Sequence, residues 1–392
     1  MNRWTGLIYV AAVFVFALAA YLASSGGADT LYNNYVRLAD AWLHGRVWVN
    51  YAGPGIDALR YQGHLYIIEA PLPALLVLPL VAIFGLGANQ ALVCVFCGAA
   101  AVAAAYVMLG RLGVSQSVHV WVLAFFAFGT GLWWCTAFGA VWMFAHVAGV
   151  MFAMFGLVEW YGKRRAWLLG LLLSCMALCR FPMAIAALPF LAWLLQETPS
   201  RERLRVLAGA VAGALPLFAL YVVYNELRWH TAFDIGYTNW YHLDPAGHPT
   251  GSPFGVQYLP LNLYSFFLLA PAYAQHFPWF VPTGIGVALT FTSPGMALAF
   301  FAPLRNREAI WLWVAVLLTW LPSLLYYVNG AEQFGMRHSL DFLPFLLPLV
   351  ARGLEHRPSV FAYSLIVLSI AVNAWGLWYS WAFHGFTVVP RR

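Results

Sequence analysis

The groups able to move a proton or bind an anion gather in a few polar stretches between long apolar runs. Asp29, Asp40, Asp57, Glu69, Glu226, Asp234, Asp244, Glu332 and Asp341 all fall there. Arg180 and Arg337 stand at the ends of apolar runs, with His338 beside Arg337. A carboxylate can accept a proton from a hydroxyl nucleophile, and an arginine fork can hold two phosphate oxygens. Each residue also has a structural alternative. Asp29 precedes Leu31, Tyr35, Leu38 and Leu43, whose spacing predicts an amphipathic outer helix that an aspartate could N-cap. Arg180 could contact phospholipid or pair with an acid. Arg337 and Asp341 have i,i+4 spacing and could form a self-contained ion pair. His146, among Trp142, Met143 and Phe144, could be a base or a hydrogen-bonded helix residue.

The elements that must position these groups are membrane helices. The chain has 392 residues, 63% hydrophobic and 9% charged, with a mean hydropathy of +0.75. That composition predicts an all-α, polytopic membrane protein with no sizeable soluble domain. Apolar runs cover 7–23, 89–109, 119–138, 141–160, 204–224, 286–303, 309–328 and 359–380, with shorter or proline-broken runs at 166–179, 182–195 and 342–351. They give about eleven spans in a single domain over 1–392. The stretch 71–85 is apolar but carries Pro71, Pro73 and Pro79. If it lies on the outer face or re-enters, the basic clusters Lys163 to Arg165, Arg201 to Arg205, Arg305 to Arg307 and Arg352 to Arg357 all fall on the inner side with Arg3. Arg391 and Arg392 then lie outside.

Two outer loops, about 24–88 and 225–285, exceed ordinary connection length. Their many aromatic residues predict folding against the membrane. The first span could pass for a secretory signal but reads as a retained anchor. Cys94 and Cys97 form a Cys-x-x-Cys pattern within an apolar helix and read as packing residues. The formal charge of +6 comes largely from inner loops, so membrane lipids, and no nucleic acid, are the expected partners.

The motif order resembles the GT-C superfamily of integral-membrane glycosyltransferases, which includes protein O-mannosyltransferases and the lipid A aminoarabinose transferase. Gly27-Ala28-Asp29 with Tyr35 to Gly45, and Glu69-Ala70-Pro71-Leu72-Pro73, carry the resemblance. A closer likeness is to uncharacterised bacterial proteins grouped beside those enzymes. It rests on Tyr224-Asn225 with Phe233-Asp234-Ile235-Gly236-Tyr237, on Thr292-Ser293-Pro294-Gly295, and on Gln333 to Arg337 followed by Leu340 to Pro344.

The resemblance implies transfer of a sugar from a polyprenyl-phosphate-linked donor to an acceptor hydroxyl, at the outer face of a bacterial inner membrane. It implies Asp29 as the base. Glu69 departs from the pattern, since some members have a basic residue before the proline pair that reaches the phosphate, so that role shifts to Arg180 and Arg337. A second acid that many members carry is missing, and His146 is what stands there. Tyr35, Tyr66, Asp234, Tyr237 and His338 complete the expected substrate-binding set. No cofactor is implied with certainty. Asp29 and Glu69 could hold a divalent cation through oxygen ligands, although no diagnostic ligand spacing is present. The rival classes are a transporter or flippase of a lipid-linked intermediate, against which the absence of an internal repeat weighs, and a non-catalytic scaffold of the same fold.

Overall fold

In a computed structural model the structure describes residues 3–51, 53, 57–243 and 252–390. Asp244, Arg391 and Arg392 lie outside the described residues. Helix α1 (Arg3–Ser25) leads into α2 (Asn34–Leu43), the hairpin β1 (Ala58–Tyr61) and β2 (His64–Ile67), and α3 (Leu72–Phe84). Then come α4 (Gln90–Leu112), α5 (Gln116–Phe128), α6 (Gly131–Phe138), α7 (Val141–Trp160), α8 (Ala166–Cys179), α9 (Ala187–Glu197) and α10 (Arg203–Trp229). The second long loop region holds α11 (Gly236–Leu243), α12 (Leu259–Phe267), the hairpin β3 (Ala272–Tyr273) and β4 (Phe280–Val281), and α13 (Leu289–Thr292). Three long helices close the chain: α14 (Arg307–Leu325), α15 (Leu343–His356) and α16 (Val360–Phe383).

This is a polytopic helical membrane protein, as the composition requires. Among the described residues six helices are long and apolar enough to cross a bilayer, or seven spans if α5 and α6, bent by 45°, form one. The other apolar runs that make up the expected eleven are short or broken. The α5–α6 bend has a local cause: Thr130 Oγ1 accepts from Leu132 N, capping α6, while donating back to Phe126 O at 2.9 Å. Helix α3 packs along α2. At 13 residues it is about 20 Å long, short of the hydrocarbon thickness.

Helices α4 and α7 are mostly buried at the centre, and α1 and α10 are mostly exposed at the periphery. Lipid provides no hydrophobic drive for helix association, so close packing of small residues must do it. On α10, Gly209 and Gly213 face α8, and a Cβ on Gly213 would collide with the Trp167 carbonyl. Gly170 of α8 reciprocates against the backbone of Ala210.

Contacts at the two ends agree with the charge bias. At one end Arg164 pairs with Glu197 and Arg352 with Glu308, and Ser115 Oγ donates to Glu355 at 2.8 Å. The basic clusters therefore share that end. At the other end Trp133 reaches Ser24, and Thr387 N donates to Glu332 at 2.7 Å.

The amphipathic stripe of α2 differs from expectation. Tyr35 and Leu38 are buried, together with Val36, Ala39 and Ala41, whereas Leu31 precedes the helix and is exposed, as is Leu43. The chain is irregular through 29–33, so the helical spacing starts later than its apolar residues suggest.

Candidate functional site

Asp29 caps a helix, but not the expected one. Helix α2 begins after Asn33, and Asp29 Oδ1 instead accepts from the backbone N–H groups of Gln90 (3.1 Å) and Ala91 (3.4 Å) at the start of α4. Gly26 and Gly27 take left-handed backbone conformations that turn the chain out of α1 toward that helix. Burial raises the Asp29 pKa, opposed by backbone hydrogen bonds, those from Gln90 and Ala91 among them.

Asp57 and Glu69 come together through the β1–β2 hairpin. Gln62 and Gly63 both have positive φ, as a tight two-residue hairpin turn requires. The register Ala58↔Ile67 then sets Asp57 opposite the start of the Ile68-Glu69 segment, with Ile68 N donating to Asp57 O at 3.2 Å. The indole of Trp142, in the first turn of α7, donates to Asp57 Oδ2. Glu69 is buried and accepts from Asn34 Nδ2 at 3.0 Å, while its Oε2 and the buried Tyr35 hydroxyl have no hydrogen-bond partner among the described residues. Burial pushes Glu69 well above the usual range, and the nearby Asp57 charge adds to it. Burial likewise raises Asp57, opposed by the Trp142 hydrogen bond and by Arg337. Tyr35, Tyr237, Tyr326 and Arg337 are all within Coulombic range of Asp57. Glu69's acidic neighbour is thus Asp57.

A second cluster lies nearby, since Tyr35 and Tyr237 are within Coulombic range of both Arg180 and Asp57. Arg180, between α8 and the 3-10 turn Phe181–Ala186, donates from Nε to Asp341 Oδ1 (3.0 Å) and from Nη2 to Asp341 Oδ2 (2.8 Å). His146 Nδ1 lies 2.9 Å from the same Oδ1. His338 packs against His146 with ring centroids 5.4 Å apart, its Nδ1 3.2 Å from Ser323 Oγ.

The expected Arg337–Asp341 pair does not form. Residues Arg337–Asp341 make a 3-10 helix, in which i and i+4 do not share a face. Arg337 is half-buried, donates to the Ala331 carbonyl and lies 5.8 Å from the Trp142 ring centre. Among the described residues it makes no ion pair with a carboxylate.

The remaining expected residues are more scattered. Half-buried Tyr237 is within Coulombic range of Asp57, Glu69 and Arg180. Tyr66 packs on Trp229, 4.9 Å between ring centres, in a satellite cluster with Leu59 and Ile68. Asp234 accepts from Tyr221, from Arg228 Nη2 (3.2 Å) and from Gly236 N (2.8 Å), and so ties α10 to α11. Arg228 is itself buried, 3.9 Å from the Tyr224 ring centre.

Asp57 and Tyr326 were not singled out by type or spacing, Trp142 stood only as a neighbour of His146, and Asp341 stood only as a local partner for Arg337. The Gln62-Gly63 turn was the available signal for Asp57, since it implies a hairpin whose flanking residues meet. Among the described residues no group of three His, Cys, Asp or Glu side chains is placed to hold a metal ion.

No family model matches the chain, and no curated protein matches it. It is similar to a solved structure of the S. cerevisiae protein O-mannosyltransferase Pmt1-Pmt2 complex bound to the sugar donor, at 16% identity and a TM-score of 0.41. The likeness covers 59% of this chain and 34% of that one, so this chain spans about a third of the yeast chain's length. Function has to be argued from the site, because a fold hosts many chemistries.

Proposed function

We propose that this protein is an integral-membrane glycosyltransferase that moves a sugar from a polyprenyl-phosphate-linked donor to an acceptor hydroxyl, at the outer face of a bacterial inner membrane. One observation carries the reading: of two neighbouring carboxylates flanking one hairpin, Asp57 and Glu69, the first lies near Arg337 across the Trp142 indole, and Arg337 forms no ion pair among the described residues. The acceptor oxygen attacks the anomeric carbon as the bond from that carbon to the phosphate oxygen breaks. A carboxylate takes the acceptor's proton, and the departing polyprenyl phosphate is held by Arg337. Asp57 is the favoured base. Glu69, whose pKa burial raises, orients the acceptor, while Asp341 and His146 fix Arg180 beside the phosphate. Asp29 is assigned to holding the outer loop on α4, with both acids open to test.

The test is turnover of a defined polyprenyl-phosphate sugar by the full chain in nanodiscs, read as free polyprenyl phosphate. Production of that lipid, lost in Asp57→Asn, supports transfer. Donor that crosses vesicle leaflets without being consumed would instead favour a transporter.

A further inference from the structure

From Pro245 to Leu304 the sequence carries no Asp, Glu, Lys or Arg, although the stretch includes much of the second long loop region. Within it, α12 turns polar side chains inward and apolar ones outward. The helix buries Asn262 and Ser265 with Phe266 and exposes Leu261, Leu263, Tyr264 and Phe267, as well as Leu268 just after it. Its inward polar side chains bond inward: Asn262 Nδ2 donates to the carbonyls of Leu324 (2.9 Å) and Tyr326 (2.7 Å), and Asn329 Nδ2 donates to Ser265 Oγ at 2.8 Å, while the buried Asn262 Oδ1 has no partner among the described residues. An element facing water would present the opposite pattern.

The β3–β4 hairpin repeats the point. Tyr273 is 71% exposed, Phe277 59%, Trp279 52% and Phe280 56%. A hairpin of two-residue strands has little stability of its own in water. It is anchored by Phe277, which meets Trp378 and Phe383 at the end of α16 with ring centroids 5.8 and 6.3 Å apart. Helix α16 crosses the bilayer, so the aromatic patch continues a lipid-facing surface at the level where aromatic belts lie.

We infer that α12 and the β3–β4 hairpin are seated in the outer leaflet, with phospholipid as their partner: α12 lies along the acyl–headgroup boundary and the hairpin rings sit at headgroup level. The absence of Asp, Glu, Lys and Arg across the stretch matches an uncharged acyl environment and gives a charged protein partner no opposite charge to pair with. The inference is independent of the reaction proposed above, and an inactive Asp57→Asn protein has the same lipid contact.

The experiment places an environment-sensitive fluorophore on single introduced cysteines, Leu263→Cys and Trp279→Cys, in the full chain in phosphatidylcholine nanodiscs. Phe280→Cys stands in for whichever variant fails to fold. Gln62→Cys, on the exposed β1–β2 turn, is the water-facing control, and label on the unmutated protein is subtracted as background. Lipid carrying a nitroxide near the headgroup should quench positions 263 and 279 several-fold more than position 62, with iodide ranking them in reverse. Iodide quenching at 263 and 279 equal to that at 62, with no effect of nitroxide lipid, would overturn the inference. Shielding from both quenchers that depends on protein density would also overturn it, pointing to a second copy on this face.

Discussion

Arg180 and Asp341 form a two-pronged ion pair, Nε to Oδ1 at 3.0 Å and Nη2 to Oδ2 at 2.8 Å, although α9 to α14 intervene in the chain. His146 shares Oδ1. Asp341 is fully buried, so its negative charge persists there only because these partners converge on it. The pair joins α8 and α7 to the polar turn before α15, and it fixes the direction of the Arg180 guanidinium.

Removing one partner of a buried pair leaves the other uncompensated, a loss of roughly 3 to 5 kcal/mol. Asp341→Leu and Arg180→Leu should each lower the thermal midpoint in detergent, and the double variant should recover part of the loss. Arg337→Leu combined with Asp341→Leu should be additive. A large coupling between Arg337 and Asp341, with none between Arg180 and Asp341, would reverse this assignment.

Glu69 predicts a pH dependence of stability. Burial raises its pKa above the ordinary glutamic acid value of 4.5. The folded chain thus keeps a proton that the unfolded chain has released, and stability declines as pH rises from that ordinary value through the raised one. Glu69→Gln stays neutral throughout. Its midpoint relative to the natural protein should therefore increase from about pH 5 to pH 8. Parallel curves would mean that Glu69 titrates normally.

Helix packing gives a prediction outside the site. Gly213→Val drives a side chain into the Trp167 carbonyl of α8, whereas Gly209→Ala meets only the Ala166 methyl at 3.3 Å. Overpacking of this kind costs about 1 to 3 kcal/mol. Gly213→Val should give markedly less monodisperse protein on size-exclusion chromatography, with Gly209→Ala close to the natural yield. Equal yields would show that α8 and α10 can separate without consequence.

The remaining runs counted toward eleven are short or broken, whereas the six long helices were legible because apolar length is set by the bilayer and needs no tertiary knowledge. The same is true of the basic end, which follows from charge in short loops. Helix α2 was legible in type, yet its buried face was misassigned at Leu31 and Leu43, because periodicity does not say where a helix starts. Asp29 was found as a cap, but of α4: a cap supplied across Asn89 leaves no local pattern. The Asp341 site was hidden for a different reason. Its partners Arg180 and His146 come from distant helices, and the 3-10 geometry of Arg337–Asp341 cancels the spacing rule that pointed to a local pair. Asp57 looked like any other loop acid until the hairpin register placed it beside Glu69.

Asp57, Asp29 and Arg337 can be separated by one set of variants assayed for both donor binding and turnover. If Asp57 is the base, Asp57→Asn lowers turnover about a hundredfold or more while donor affinity holds, the pattern expected when a proton acceptor is lost. Asp29→Asn keeps an oxygen for the Gln90 and Ala91 N–H groups and should stay near full activity, whereas Asp29→Ala loses the cap and about 0.5 to 2 kcal/mol of stability. Arg337→Lys retains the charge but not the fork, so donor affinity should fall by roughly 1 to 3 kcal/mol with a smaller change in turnover at saturation. The signs discriminate cleanly. A hundredfold loss in Asp29→Asn with an unchanged melting curve would move the base from Asp57 to Asp29, and undiminished donor affinity in Arg337→Lys would remove Arg337 from the phosphate.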